Sequence, residues 1–289
     1  MWLALAFLSA FLLGFYDVSK KYSLRNNAVI PILFLNTLFC SLIFLPLAFR
    51  TPFGGWEVQR YILLKACIVL SSWLLGYIGI KNLPITIVGP INATRPVMVL
   101  VGALIIFGER LNLMQWAGVL LAIMSFFLLS RSGKKEGIDF KHNRWILCTV
   151  GAAILGAISG LYDKYLMASE SGLGLPRLTV QCWYNFYQCI MMGAMLLLLW
   201  WPKRKESTPF KWRWNILLIS VFLSVADYVY FYSLSLDGAL ISVVSMVRRS
   251  SVLVSFMLGA LLFHEKNLRS KAIDLALVLL SMLLLWLGQ

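Results

Sequence analysis

Apolar residues in this chain run on for roughly 20 positions at a time, and short polar intervals separate one run from the next. Wound as a helix at ~1.5 Å per residue, such a run crosses a hydrocarbon layer of ~30 Å. The pattern predicts ten spanning helices, over 2–19, 29–49, 61–80, 84–106, 112–129, 145–167, 179–201, 215–236, 239–263 and 272–288. No soluble domain fits between them. The first run, MWLALAFLSAFLLG, has no Lys or Arg ahead of its apolar core and reads as a span rather than a secretory leader. The longest polar interval, Arg131 to Arg144, divides the chain into a five-helix unit at 1–130, a linker at 131–144 and a second five-helix unit at 145–289.

Local patterns recur in the same order in both units, which predicts an internal repeat. Tyr16-Asp17 closes the first span as Tyr162-Asp163 closes the sixth, and FGERLNL (Phe107 to Leu113) follows the fourth span as FHEKNLR (Phe263 to Arg269) follows the ninth. LPITIVGPINATRP (Leu83 to Pro96) and DGALISVVSMVRRS (Asp237 to Ser250) each enter a span after a tight turn and place Arg near its middle. With an odd number of helices per unit, the second copy enters the membrane from the opposite side. The expected fold is an all-α membrane protein of two inverted five-helix repeats, a geometry suited to alternating access.

Composition agrees with lipid as the solvent: 60% of the 289 residues are hydrophobic, 13% are charged and the mean hydropathy is +0.81. The net charge of +14 does not point to nucleic acid, because the basic residues gather in short loops between spans. Loops after odd-numbered spans hold Lys20, Lys21, Arg25, Lys81, the Arg131–Arg144 cluster, Lys203 to Lys205, Lys211, Arg213, Lys266, Arg269 and Lys271. The other side has only Arg50, Arg60, Arg110 and Arg177. The positive-inside rule then makes the linker cytoplasmic and sends both termini outward. The five Cys lie in or beside apolar segments without a CxxC pair, and His142 and His264 are far apart, so no metal site, His-based triad or cofactor is expected.

The segment Lys81 to Leu121 resembles the signature of an EamA-type domain of the drug/metabolite transporter superfamily: a fourth helix rich in small residues with mid-helix Pro96, then Gly102, a turn bearing Glu109, and a fifth helix from Trp116 to Leu129. The second unit repeats it with Gly259 and Glu265 but has Val252 or a neighbour where the proline stands. The resemblance implies a multi-pass transporter of the bacterial inner membrane, with a small-molecule substrate, membrane lipids around it, a coupling proton in some modes, and a monomeric or homodimeric state. Ten-helix relatives are usually described with both termini cytoplasmic. Cargo across the superfamily ranges from amino acids and phosphorylated sugars to toxic cations, so the fold does not name it.

Ionisable groups at membrane depth are costly and therefore candidates for function. Arg95 lies mid-way in the fourth span, with Asn92 on the same face, and Arg248 and Arg249 lie mid-way in the ninth with Ser245 one turn from Arg249. Arg248 and Arg249 diverge by ~100°, so one is expected to pair with Asp227 of the eighth span and the other to meet cargo. Asp17 can pair within its helix with Lys20 or Lys21, whereas Asp163 has only Lys164 nearby and is a candidate for proton coupling. Lys65 is expected to snorkel to an interface. Mid-span Trp73, Tyr77 and Tyr230 are candidates for lining a cavity.

Excess interior arginine, whose planar fork suits carboxylate or phosphate, favours a secondary carrier of a small anionic organic metabolite, and Arg95 with Arg248 and Arg249 resembles the basic fourth and ninth helices of phosphorylated-sugar transporters. The alternatives are a proton-coupled exporter of neutral or cationic amino acids or drugs, using Asp17, Asp163 or Asp227, and a flippase for a phosphate-bearing lipid. The same charges can also form one packing network that touches no ligand. An intramembrane enzyme lacks the clustered His, paired carboxylates or metal motif it needs.

Overall fold

A computed structural model of the chain describes residues 2–51, 53–95, 97–98, 112–134, 142–167, 173–235, 247–263 and 268–288. These residues form the helices α1 (Trp2–Leu24), α2 (Val29–Ala48), α3 (Gly55–Asn82), α4 (Ile85–Ala93), α5 (Leu113–Lys134), α6 (Arg144–Met167), α7 (Arg177–Met195), α8 (Asn215–Ser235), α9 (Ser251–Phe263) and α10 (Leu268–Leu287). A π-helical turn, Leu196–Trp200, extends α7. Helix is the required choice where no water can satisfy the backbone, because each N–H and C=O then finds its partner inside the segment. Pro31 in the first turn of α2, and Pro84 and Pro176 just ahead of α4 and α7, sit where they cost little, whereas Pro46 and Pro90 lie inside α2 and α4.

The molecule turns its large apolar side chains outward, among them Phe7, Phe11, Leu42, Leu64, Leu198 and Leu261, and buries Ser9, Asn36, Lys65, Thr86, Gln188 and Lys271. A surface this apolar around a polar interior suits a hydrocarbon solvent. The stretches Val29–Ala48, Gly55–Asn82, Arg144–Asp163 and Arg177–Trp200 are each long and apolar enough to cross a membrane.

Helices run several residues past the apolar spans where polar ends continue the winding, as in α1, which extends through Ser19-Lys20-Lys21 to Leu24. α5 likewise continues to Lys134, inside the expected linker. α10 starts at Leu268, so Lys271, expected in a loop, is fully buried and donates to Thr86 Oγ1 at 2.9 Å. Residues 135–141 of the linker and the motif residues Pro96, Gly102, Glu109 and Glu265 lie outside the described residues.

α1 packs along α8, and α3 along α6; α2 meets α7 and α8, and α7 meets α3; α9 meets α4 and α1, α4 also meets α6, and α5 lies against α10. Replacing each helix by the one five places away turns α1·α8 into α6·α3, α2·α8 into α7·α3 and α1·α9 into α6·α4. It leaves α2·α7, α4·α9 and α5·α10 unchanged.

The basic loops collect at one end. Buried Asn27 clasps the α7–α8 loop, its amide donating to Lys211 O (2.7 Å) and accepting from Lys211 N (2.9 Å). Arg213 donates to Tyr22 O (2.5 Å), Lys81 to Thr208 Oγ1 (3.3 Å), and Lys21 to Ile80 O (2.6 Å) and Leu83 O at the end of α3. At the opposite end, Phe53 stacks edge-on with Trp56 and Trp183, and Tyr187 donates to Gln59 Oε1 at 2.7 Å.

α4 and α9 cross at glycine. A β-carbon on Gly259 would stand 2.1 Å from Ile85 Cγ2, and one on Gly89 would stand 2.9 Å from Val252 Cγ1. Gly259→Leu is expected to force the crossing apart and cost about 1–3 kcal/mol, read as a lower thermal midpoint in detergent. Gly76→Ala, whose new β-carbon meets Ala152 at an ordinary 3.7 Å, should leave the midpoint unchanged or raise it.

Candidate functional site

The two helical stretches that carry the interior arginines are interrupted beside them. α4 ends at Thr94, whose N–H turns back to Ile91 O at 3.2 Å and whose hydroxyl donates to the same carbonyl at 2.7 Å. Pro96 follows Arg95 in sequence; it has no N–H to return to Asn92 and disfavours helical backbone in the residue before it. Ahead of α9, Ser250 repeats the arrangement without a proline, with N–H and hydroxyl meeting Val247 O at 3.0 and 2.6 Å. Arg95 stands one residue after the first break, and Arg249 one residue before the second.

Arg95 reaches across to α6. Its Nη2 donates to Asn92 Oδ1 at 3.2 Å and to Ala152 O at 3.4 Å, while its buried Nε has no partner. The absence of a side chain at Gly156 makes room for it, since a β-carbon there would stand 2.7 Å from Arg95 Cζ. Arg249 lies within electrostatic range of Arg95, Arg248, Tyr230 and Asp17, and Arg95 within range of Asp17 and Tyr16. The arginines of the fourth and ninth spans therefore share one interior region. Ser245 lies outside the described residues.

Three interior carboxylates, Asp17, Asp163 and Asp227, are each held by a cation that lies on a tyrosine ring; Asp274 and Lys271 of α10 are buried as well. Lys20 Nζ is 2.8 Å from Asp17 Oδ1 and sits 4.3 Å from the Tyr16 ring centroid and 5.3 Å from that of Tyr77. Lys65 pairs with Asp163 and stands 4.9 Å from the Tyr184 centroid. Arg248 pairs with Asp227, and its Cζ lies 4.2 Å over Tyr230. The ring face adds an attraction that grows where water is excluded. Of the two diverging arginines, Arg248 is the one that takes Asp227. Among the described residues Arg249 makes no ion pair, and Arg95 meets only neutral acceptors.

Two neighbours differ from the expectation drawn along the chain. Lys65 does not snorkel: it is 6% exposed, against 33% for Asp163, so the ammonium is sealed and the carboxylate keeps an open side. Its partner is 98 positions away on another helix, and only the packing of α3 on α6 brings the two together. Lys21 leaves Asp17 to Lys20 and goes to the carbonyls that end α3. Tyr77 is buried beside Tyr16 and Lys20, while Trp73 packs against the main apolar core. Sequence spacing named neither Lys20's and Lys65's aromatic partners nor Tyr184, because all of these contacts except Lys20 to Tyr16 cross between helices.

A model of the EamA-like transporter family matches residues 1–131 and again residues 143–287. The chain belongs to that family. An uncharacterized transporter of Archaeoglobus fulgidus is 28% identical to this EamA-like protein over 129 residues, 42% of this chain and 45% of the relative, so the match spans less than half of that relative's length. A protein of known crystal structure aligns over 99% of this chain and 97% of its own at 14% identity with a TM-score of 0.65, which supports the helical fold. The EamA-like chain is an integral, multi-pass membrane protein, and the family and the relative's name both point to a transporter rather than an enzyme.

The Lys65–Asp163 pair is expected to reveal itself in a double-mutant cycle. Lys65→Met alone strands Asp163 and lowers the unfolding midpoint; adding Asp163→Asn recovers most of the loss, with a coupling energy of about 1–3 kcal/mol. Simple additivity of the two single changes removes the pair as a source of stability.

Proposed function

We propose that this EamA-like protein is a secondary carrier of a small anionic organic metabolite, working by alternating access between two five-helix repeats of opposite orientation. The observation that carries the reading is the charge left over inside. Asp17, Asp163 and Asp227 are each matched by one cation, whereas Arg95 and Arg249 sit at matching helix breaks with no carboxylate in ion-pair contact among the described residues. An anion placed between them supplies the missing charge, and its carboxylate or phosphate oxygens suit the guanidinium fork. A proton-coupled exporter of neutral or cationic cargo needs a free acid, and Asp17, Asp163 and Asp227 each sit in an ion pair, which weighs against their use in that role. A phosphate-bearing lipid would engage the same arginines.

The symmetry of helix contacts under exchange five places along, and the two successive matches to the family model, support the repeat. In an inverted pair the cargo site lies on the axis between corresponding broken helices, here at Arg95 and Arg249. α3 reaches both halves: Lys65 toward its start pairs with α6, and Tyr77 toward its end meets Lys20 of α1. Alternating access then consists of α3 and its partners closing one set of contacts as the other opens. The basic end faces the cytoplasm of a bacterial cell, by the excess of Lys and Arg in its loops, and the protein resides in the inner membrane.

The test is uptake by proteoliposomes of a labelled panel of phosphorylated and carboxylated metabolites, with lipid scrambling measured in parallel. Arg95→Gln and Arg249→Gln should each cut uptake of the transported anion about tenfold or more, the value of one charge-assisted hydrogen bond. Uptake equal to that of the unaltered protein in both variants removes the assignment, and scrambling without uptake transfers the arginines to a lipid headgroup.

A further inference from the structure

α7 presents a polar face that the anion site does not use. Positions on a helix advance ~100° each. Tyr184 and Met191 face α3, since Lys65 stands over the Tyr184 ring and the Cys67 thiol meets the Met191 sulfur at 3.6 Å. The main chain at Asn185 lies against α2, where the Ser41 hydroxyl donates to its backbone carbonyl at 3.0 Å. The direction between those two neighbours belongs to Gln181, Gln188 and Met192, which therefore point into the body of the bundle. Gln188 is 0% exposed and Gln181 2%. Neither the oxygen nor the nitrogen of the Gln188 amide has a hydrogen-bond partner, and the Gln181 nitrogen has none either. The face borders the charged interior, because Tyr184, one turn from Gln188, lies within electrostatic range of Asp227 and Arg248.

A primary amide offers two donors and an acceptor oxygen with two lone pairs. Holding one in a dry interior with nothing to bond is costly, and leucine would fill the same space at no such cost. Two such amides, two turns apart on the inward line of one helix, form a ladder of hydrogen-bonding groups along the interior face of α7. We propose that Gln188, with Gln181 above it, is the specificity subsite for the uncharged part of the cargo, and that this part carries hydroxyl or amide groups rather than an alkyl chain. The proposal rests on the anion-carrier reading, with Arg95 and Arg249 taking the charged end and α7 reading the body.

The experiment measures ligand-dependent shifts in thermal midpoint of the purified full chain in detergent, using two matched pairs of probes: gluconate against hexanoate, and glucose 6-phosphate against hexyl phosphate. Within each pair the head group and the carbon count are the same and only the ring or chain oxygens differ. The hydroxylated member of at least one pair should give the larger shift. Gln188→Leu should raise the concentration giving half of that shift about tenfold and abolish the preference, while a response to the shared head group persists. Gln181→Leu should weaken the preference independently, and it carries the same reading if Gln188→Leu does not fold. Equal shifts within both pairs, or a preference that survives in the folded variants, overturns the amide subsite and leaves the arginine site standing. No shift with any of the four probes overturns both.

Discussion

A charged side chain surrounded by hydrocarbon has to find its counter-charge inside the protein, and that requirement organises the centre of this bundle. Lys65 and Asp163 join α3 to α6, and Arg248 with Asp227 ties the approach to α9 onto α8. Lys20 and Asp17 close on each other within α1, and Lys20 also leans on Tyr77 of α3. Each link is covered by a tyrosine ring, which strengthens the cation's position and separates it from the apolar exterior. Removing one member of such a pair is worse than removing both, because a stranded charge is left behind. The helices are therefore held together by demands that no single helix can meet alone.

Against that matched background the two unmatched guanidinium groups acquire meaning. Arg95 is held by an amide and a main-chain carbonyl in the space left by Gly156, which orients the group without neutralising it. Arg249 faces like charge from Arg95 and Arg248. Under the carrier reading proposed above, a site of this kind is stabilised when a negative ion enters. Placing both groups at helix breaks serves the same end: a turn at Thr94 or Ser250 gives a small change of backbone angle a large effect on where the neighbouring arginine points.

Close packing makes such motion coherent. α4 and α9 cross where Gly89 and Gly259 let the backbones approach, and α3 meets α6 where a β-carbon on Gly79 would stand 2.3 Å from Thr149 Oγ1. Helices in contact this tight move as bodies rather than deform. Lys65 and Tyr77 lie a few turns apart on α3, so the same helix touches both the Lys65–Asp163 pair and Lys20 of α1. Gln181 and Gln188 extend the polar interior along α7.

Much of this was legible along the chain. Apolar run length marks a span, and an arginine in the middle of an apolar run marks a buried charge, because both depend on neighbours in sequence. The family resemblance read from Lys81 to Leu121 rests on the same local information, and the family match covers the chain. The rotation of one helix against another is not local. Spacing alone left Arg248 and Arg249 as equal candidates for Asp227, sent Lys65 to an interface and Lys271 to a loop, and did not single out Gln188. The tertiary structure chose among these because each outcome depends on which helix lies opposite, across tens to hundreds of residues of chain. Sequence determined that charges would be buried in a helical membrane body and put Lys20 within reach of Asp17; packing decided the pairs that cross between helices.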